Sequence, residues 1–439
     1  MKSKQLFTLL LTLQGLPGLL AAEAAPAEAR VPITPALIDG LVKDATVSNP
    51  GIEASSARAD AASAEIDSIR TWEDPTVSLG LWKSTPRGMS ASQEGNIIYG
   101  INQKLPVFGR PELARNVAEA AAAKARLSVA YETQRIRRDL TVALVGLAFA
   151  DRSLDLARED LDWLEATVST VDSRYRAGKS SQVEWLRAQT ERAKAADNIR
   201  TRELDREHQQ VLINRLLNRN PHTLWPRYAM PEVAGPVPYD DHLVRDALDL
   251  APKLKIKRQE TEESDATALL TRRRRMPEIG VGVEARQYSG DAGIREGALT
   301  VDFTLPWLNA RRYDSDLRRD LANRRASERD ATEYELEIRE AVHQLTMDLD
   351  TARRQALLYR DQIIPLTEQT LSSADAAWQS GLGPFQDILD AHRMLVDNRL
   401  TLGRATADQA GKLAELTLLT GIFDPTSHAS SYSPEQTHH

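Results

Sequence analysis

One order of motifs occurs twice in this chain, and few folds accommodate that. Leu41-Val42-Lys43-Asp44-Ala45 returns as Leu243-Val244-Arg245-Asp246-Ala247. Asn49-Pro50 returns as Ala251-Pro252, and Asp74-Pro75 as Met276-Pro277, all at an offset of 202 positions (41 to 243, 50 to 252, 75 to 277). Pro75 and Pro277 each precede an alternating run, Thr76-Val77-Ser78-Leu79-Gly80-Leu81 and Glu278-Ile279-Gly280-Val281-Gly282-Val283. Leu105-Pro106 matches Leu305-Pro306, and Tyr175-Arg176-Ala177-Gly178 matches Trp378-Gln379-Ser380-Gly381. A duplication of this length implies two structurally equivalent halves. Each reads helix, two strands, very long helix, sharp turn, return helix. The expected class is mainly α with a small β part. The first repeat is expected over 25–225, a linker over 226–242, the second repeat over 243–423 and a polar tail over 424–439.

The long helices are expected over about 111–176 and 311–380. From Pro111 to Arg176 the only glycine is Gly146, and Pro111 suits a first helical turn. At about 1.5 Å per residue the stretch makes a rod of roughly 100 Å. Ile136, Leu140, Ala143 and Leu147, then Leu161, Leu164, Val168, Val171 and Tyr175, recur at the three-four spacing of a packing seam, and Ile338, Val342, Leu345 and Leu349 keep it in the second copy. Ile364-Pro365 has no counterpart in the first copy, and a proline there kinks or restarts the helix. Return helices are expected over about 181–217 and 384–420. Hydrophobic residues make up 41% of the 439 and aromatic residues only 5%, which argues against a thick globular core and for long helices. A coiled-coil spacer is the plain reading of these seams, but it leaves the strands unexplained.

Four strands with period-two alternation are expected, over about 75–83, 96–105, 277–288 and 298–305. One face carries Val77, Leu79, Leu81, Ile97, Tyr99, Ile101, Ile279, Val281, Val283, Leu299, Val301, Phe303 and Leu305; the other carries small or polar residues such as Ser78, Gly80, Asn102, Gly282, Thr300 and Asp302. Apolar outside with small or polar inside is the pattern of a membrane-barrel wall, and about nine residues cross a bilayer as a tilted strand. A barrel needs about eight strands, and lipid does not tolerate an open sheet edge, so strands that span a membrane here require several chains to share one barrel. The alternative is a soluble sheet packed on a helix.

Residues 1–24 read as an export signal: Lys2 and Lys4, an apolar stretch from Leu6 to Leu20, then Ala22-Glu23-Ala24 as a cleavage pattern. There is no cysteine, hence no disulfide and no lipid anchor on a cysteine. The net charge of −7 implies no particular partner and argues against nucleic-acid binding. No P-loop, HExxH or Gly-x-Ser-x-Gly motif is present, so an enzyme is not expected. His343 and His392 stand singly on helices, and His428, His438 and His439 lie in the tail, so neither a metal site nor a cofactor is expected.

With these features in order, the chain resembles the TolC-like outer-membrane factors of tripartite efflux systems, over about Pro35 to Phe423. The carrying motifs are Asn49-Pro50 in the first helix and the strand-to-helix junction Gln103-Lys104-Leu105-Pro106-Val107-Phe108-Gly109-Arg110. The turns at Tyr175-Arg176-Ala177-Gly178 and Trp378-Gln379-Ser380-Gly381 add to them, with Gln386-Asp387-Ile388-Leu389-Asp390-Ala391 following. The resemblance implies a homotrimer with a trimeric α-helical barrel, a shared twelve-stranded β-barrel in the outer membrane, and a helical tunnel in the periplasm. It further implies a periplasmic adaptor and an inner-membrane RND-type pump as partners, with this chain a passive, gated duct. Its helix tips, Ala177, Gly178, Lys179, Ser180 and Ser181 with Ser380, Gly381, Leu382, Gly383 and Pro384, would meet the adaptor. Asp387 and Asp390 match acidic positions at the constricted inner end. Glu184 and Arg187 align with them in the first copy, where opposite charges permit salt bridges between adjacent helices. Arg272, Arg273, Arg274 and Arg275, and the aromatic residues Trp72, Trp82, Tyr99, Tyr288 and Trp307, would mark the membrane boundary and meet lipid head groups. The Leu-Pro-x-x-Gly-Arg junction and the absent cysteine lean toward the heavy-metal branch, with drug export and a pore-free periplasmic scaffold as the alternatives.

Overall fold

Asparagine and proline decide where the first helices break. Asn49 Oδ1 accepts from the backbone N–H of Gly51 (2.8 Å) and Ile52 (3.3 Å), which caps a new helix at Pro50 and ends the one before it. The single first helix expected from sequence is therefore two, α1 (Pro35–Ser48) and α2 (Pro50–Ser68). In the computed structural model, which describes residues 30–82, 96–287 and 293–422, the first half continues with β1 (Thr76–Trp82), β2 (Asn96–Lys104), a 3-10 turn (Val107–Gly109), α3 (Arg110–Arg176) and α4 (Gln182–Leu216). The second half runs α5 (Asp241–Leu250), α6 (Pro252–Arg273), β3 (Ile279–Gln287), β4 (Ile294–Phe303), a 3-10 turn (Pro306–Asn309), α7 (Ala310–Leu358), a π turn (Tyr359–Ile363), α8 (Ile364–Gln379) and α9 (Phe385–Thr420). The expected signal segment, Tyr288, and the C-terminal tail with His428, His438 and His439 lie outside the described residues.

The two halves differ where their long helices differ in length. Leu105-Pro106 and Leu305-Pro306 are 200 positions apart, but Tyr175 and Trp378 are 203 apart (105 to 305, 175 to 378). The second copy has thus gained three residues between junction and tip. α3 is unbroken over 67 residues, whereas its counterpart is interrupted by the five-residue π turn before Pro365. The wider π turn takes up inserted length, and Pro365 follows directly after it as the second residue of α8.

The core is strung along the rods. Near the middle, Leu41, Val42 and Ala45 of α1 pack on Leu140, Leu144 and Leu147 of α3. In the other half, Leu243 and Ala247 of α5 pack on Ile338, Val342 and Leu349 of α7. The duplicated motif at 41–45 and 243–247 is thus the same docking surface used twice. The linker passes between the halves. There Val31 bridges Tyr228 in parallel, and the fully buried Asp151 accepts from Arg206 Nε (2.6 Å) and the Tyr228 backbone N–H (3.3 Å).

β1 to β4 form one antiparallel sheet in sequence order. The register sets Val77 opposite Ile101, Ile101 opposite Val283 and Val283 opposite Leu299, so the apolar residues share one face. No described residue covers that face: Leu79 is 73% exposed, Leu81 85% and Leu299 77%. On the other face β3 is thinned by Gly280 and Gly282, and the Asn102 amide of β2 reaches across it to hydrogen-bond Asp302 of β4. β4 starts at Ile294, four residues before its expected start at 298, because Arg286 and Glu296 pair across the strands (3.0 Å) beside a register shift at Arg286/Gln287. No helix among the described residues is long and apolar enough to cross a membrane.

Candidate functional site

The two helix tips are built alike. At the first, α3 ends at Arg176 and Gly178 turns left-handed (φ 69°). Its N–H donates to the Tyr175 carbonyl (2.9 Å), and Lys179 N–H donates to that of Arg174 (2.8 Å). At the second, Gly381 (φ 79°) donates to Trp378 (3.0 Å) and Leu382 to Ala377 (2.8 Å). Such a turn satisfies the last carbonyls of a helix and requires a residue free to take positive φ. Ala177 and Ser380 are the respective caps, Ser180 and Gly383 lie within the turns, and Ser181 and Pro384 open the return helices. Leu382 is 87% exposed at the apex.

The tips pack on one another through a small core of their own. Leu164, Val168 and Val171 of α3 join Ala188 of α4, Trp378 of α8, and Phe385, Ile388 and Leu389 of α9. The Trp378 ring lies 5.3 Å from that of Phe385 and beneath the Arg174 guanidinium (4.4 Å). Tyr175, its counterpart in the first copy, remains 41% exposed.

The four charged residues expected at the constriction take unequal roles. Glu184 does not pair across helices; its carboxylate accepts from the Ser181 N–H (3.1 Å) while Ser181 Oγ accepts from Glu184 N–H (3.2 Å), a capping box. The nearby helix terminus outcompetes a distant cation for that carboxylate. Arg187 reaches α9 by donating to Gln386 Oε1 (3.0 Å) rather than to an aspartate. Gln386 donates to Asp390 (2.8 Å), which also accepts from Arg393 (3.0 Å), and Arg393 pairs with Glu191 of α4 (2.7 Å). Arg187, Gln386, Asp390, Arg393 and Glu191 thus form one polar chain tying the two return helices. Burial pushes the Glu191 carboxyl up, but hydrogen bonds and charge from Arg393 and then Lys194 outweigh it and hold the group below its ordinary value. Asp387 is exposed, with no ion pair among the described residues. Sequence reading missed Gln386, Arg393 and Glu191; the three-residue spacing of Asp390 and Arg393 was the available signal. It also read His392 as solitary, yet the ring stacks on Trp163 (3.6 Å) and its Nε2 lies 2.9 Å from Asp160.

At the other end, the arginine run is divided among tasks. The carbonyls of Arg274 (2.9 Å) and Met276 (3.1 Å) accept from Arg110, which also pairs with Glu278, and the Arg275 guanidinium pairs with Asp314 of α7 (2.9 Å). Arg272 and Arg273 close α6 with exposed side chains. Trp307 is 60% exposed in the 3-10 turn after β4. Tyr99 lies in mid-strand rather than at a strand end, with its hydroxyl donating to Gln287 (2.8 Å). Trp82 ends β1; its side chain is outside the described set. Among the described residues no group of three or more His, Asp or Glu is placed to hold a metal ion.

A helical rod carrying a sheet with an uncovered apolar face is the architecture of a channel anchored in an outer membrane, and the sequence agrees. The profile of the outer membrane efflux protein family matches residues 41–219 and 243–422, and the chain belongs to that family. It is an outer-membrane protein whose helices lie in the periplasm, and its relatives are channels rather than enzymes. The cobalt-zinc-cadmium resistance protein CzcC of Cupriavidus metallidurans is 20% identical over 379 residues, covering 85% of this chain and 87% of that protein. Among solved structures, the outer-membrane channel OprN superposes with a TM-score of 0.77 at 17% identity (88% of this chain, 89% of that one). The outer membrane protein VceC of Vibrio cholerae gives 0.74 at 16% (88% and 96%), and CusC gives 0.72 at 17% (91% and 95%).

Proposed function

We propose that three copies of this chain form the outer-membrane duct of a tripartite export system, each giving four strands to one twelve-stranded barrel and its helices to a periplasmic tunnel. The observation that carries this is the sheet. β1 and β4 each pair on one side only, and the face they share with β2 and β3 is apolar and uncovered. In lipid, unpaired edges cost several kcal/mol per orphaned group, so further copies must close the barrel. An inner-membrane pump and a periplasmic adaptor deliver the cargo, the adaptor meeting the turns at 177–181 and 380–384. Heavy-metal cations are the favoured cargo, supported by the similarity to a cobalt-zinc-cadmium resistance protein. Asp387 and Asp390 form acidic rings at the inner end, which favour cations and hold a closed tip. Arg272 to Arg275, Trp82 and Trp307 lie toward the membrane boundary.

The test is single-channel conductance of the detergent-purified protein in a planar bilayer, as wild type and as Asp387→Ala/Asp390→Ala. Stepwise conductance that rises in the double variant is expected. Recovery as a water-soluble periplasmic species without conductance would sink the barrel. In cells deleted for the gene, loss of resistance to drugs but not to cobalt, zinc or cadmium would reassign the cargo.

A further inference from the structure

Along the first rod, a cleft of about 840 Å³ opens between α3, α4 and the segment that leaves α4. Glu203, Glu207 and Gln210 follow one another at four- and three-residue steps, so they share the face of α4 that this segment crosses. The segment is pinned there. Asn214, fully buried, donates to the carbonyls of Pro221 (2.9 Å) and Thr223 (2.9 Å) and accepts from Trp225 Nε1 (2.8 Å). The Trp225 indole therefore stands as a fixed wall of the cleft, and Leu224 beside it is 81% exposed.

The polar groups of the cleft are nearly balanced in charge but not in hydrogen bonding. Arg206 and Arg227 are held by Asp151 (2.6 and 3.5 Å), and Arg227 also by Asp155 (2.6 Å). Arg158 stands 3.9 Å from Glu203. That leaves the Glu207 carboxylate, too little charge to trap a free ion. Gln210 is 4% exposed, and its Nε2 has no acceptor. Glu207 is exposed, and its carboxylate has no donor among the described residues. A buried donor left without an acceptor calls for a group from outside. A donor and an acceptor on one helix face, beside an indole wall, suit a ligand with polar groups along its edge and an apolar C–H face. That is the surface of a sugar ring. An acetamido substituent adds a carbonyl for Gln210 and a methyl for Leu224.

The position narrows the choice of sugar. From Arg110, at the foot of the sheet, to Leu154, at the cleft, α3 runs 44 residues (110 to 154), about 66 Å at 1.5 Å each. The cleft thus lies in the periplasm, well below the membrane, in the compartment that holds the cell wall, whose strands are N-acetylated amino sugars. We propose that this cleft binds a short stretch of such a strand and tethers the protein to the wall. A sugar ring lies against Trp225, its acetamido carbonyl accepts from Gln210, and a hydroxyl donates to Glu207. The inference needs only the periplasmic placement of the helices, not the trimeric duct.

The full-length protein in detergent would be sedimented with purified, protein-free cell-wall sacculi, with N-acetylglucosamine tetramer or its unacetylated counterpart cellotetraose as competitor. Wild type is expected to co-sediment and to be released by the acetylated tetramer alone. Gln210→Leu is expected to weaken retention about fivefold, as the loss of one hydrogen bond would. Leu224→Ser, at an exposed position, is expected to weaken it without disturbing the core. Arg354→Gln, on an exposed face of α7, is expected to leave it unchanged. Absence of co-sedimentation overturns the proposal, because the cleft is then closed by a neighbouring copy or holds no glycan. Equal release by cellotetraose overturns the acetamido contact, and full retention by both cleft variants moves the binding elsewhere. Conductance of the same wild-type preparation separates this claim from the duct. A conducting protein that ignores sacculi refutes only the tether, and a non-conducting one that binds them refutes only the duct.

Discussion

Trp378 and Tyr175 occupy equivalent places in the two halves, yet their replacement by alanine should have very different consequences. The Trp378 side chain is 5% exposed, packs against Phe385 and lies under Arg174. Truncating a buried tryptophan costs about 3–5 kcal/mol, and the lost cation–π contact adds roughly 0.5–1 kcal/mol. Tyr175 is 41% exposed, and its ring lies 6.3 Å from that of Trp185, so its truncation should cost about 1 kcal/mol at most. A membrane-bound assembly has no single unfolding free energy, so the measurement must be local. Amide hydrogen exchange reads it directly, since the Leu382 N–H donates across the second tip and the Lys179 N–H across the first. With Trp378→Ala, exchange at Leu382 should quicken by at least about a hundredfold, the equivalent of roughly 3 kcal/mol. With Tyr175→Ala, exchange at Lys179 should quicken by about fivefold or less. Equal acceleration in the two variants would refute the claim that the tip core is asymmetric and centred on Trp378.

Other perturbations test other parts of the molecule. Gly282→Ala would set a Cβ 2.6 Å from Thr300 Oγ1 and 3.0 Å from the Ile101 carbonyl oxygen, so the sheet should be destabilised by about 1–3 kcal/mol, read as a lower yield of membrane-inserted, heat-resistant protein. Asp151→Ala removes the buried carboxylate that Arg206 and Arg227 share, while Arg227 keeps its pair with Asp155 (2.6 Å); a loss of about 1–3 kcal/mol is expected, seen as faster proteolysis of the linker around Tyr228. Because the folded Glu191 value lies below the ordinary 4.5, its contribution is full above that pH and is lost as pH falls through the lower folded value. Exchange at the α4–α9 contact should therefore rise on acidification below about pH 4 in wild type and stay flat over the same range in Glu191→Gln.

Much of the fold was legible before any tertiary structure. The alternation of Val77, Leu79 and Leu81 against Ser78 and Gly80 marks a strand by its period, and the run from Pro111 to Arg176 marks a rod by its lack of breakers. Gly178 and Gly381 mark turns because positive φ excludes most other residues. These are local properties, written within a few residues of where they act. What escaped were choices between competing partners. Glu184 looked like half of an interhelical salt bridge but serves its own helix end, since the capping geometry is reached without ordering a second side chain. Asp390 was legible as an acidic residue near the tip, but Arg393 as its partner and Gln386 as the link to Arg187 were not; an amide matches either charge.

The sequence by itself determined that there are two equivalent halves, that each carries a strand pair and a rod, and that the rods reverse at two glycines. Duplication and periodicity are properties of the chain order and need no third dimension. Only the tertiary structure decided how the halves cease to be equivalent. A π turn takes up length gained by the second rod, and Trp378 is buried where Tyr175 is left exposed. Arg274 and Arg312, 38 positions apart (274 to 312), line one cavity. Each of these outcomes depends on which surface the packing brings opposite a residue, and that surface comes from a distant part of the chain.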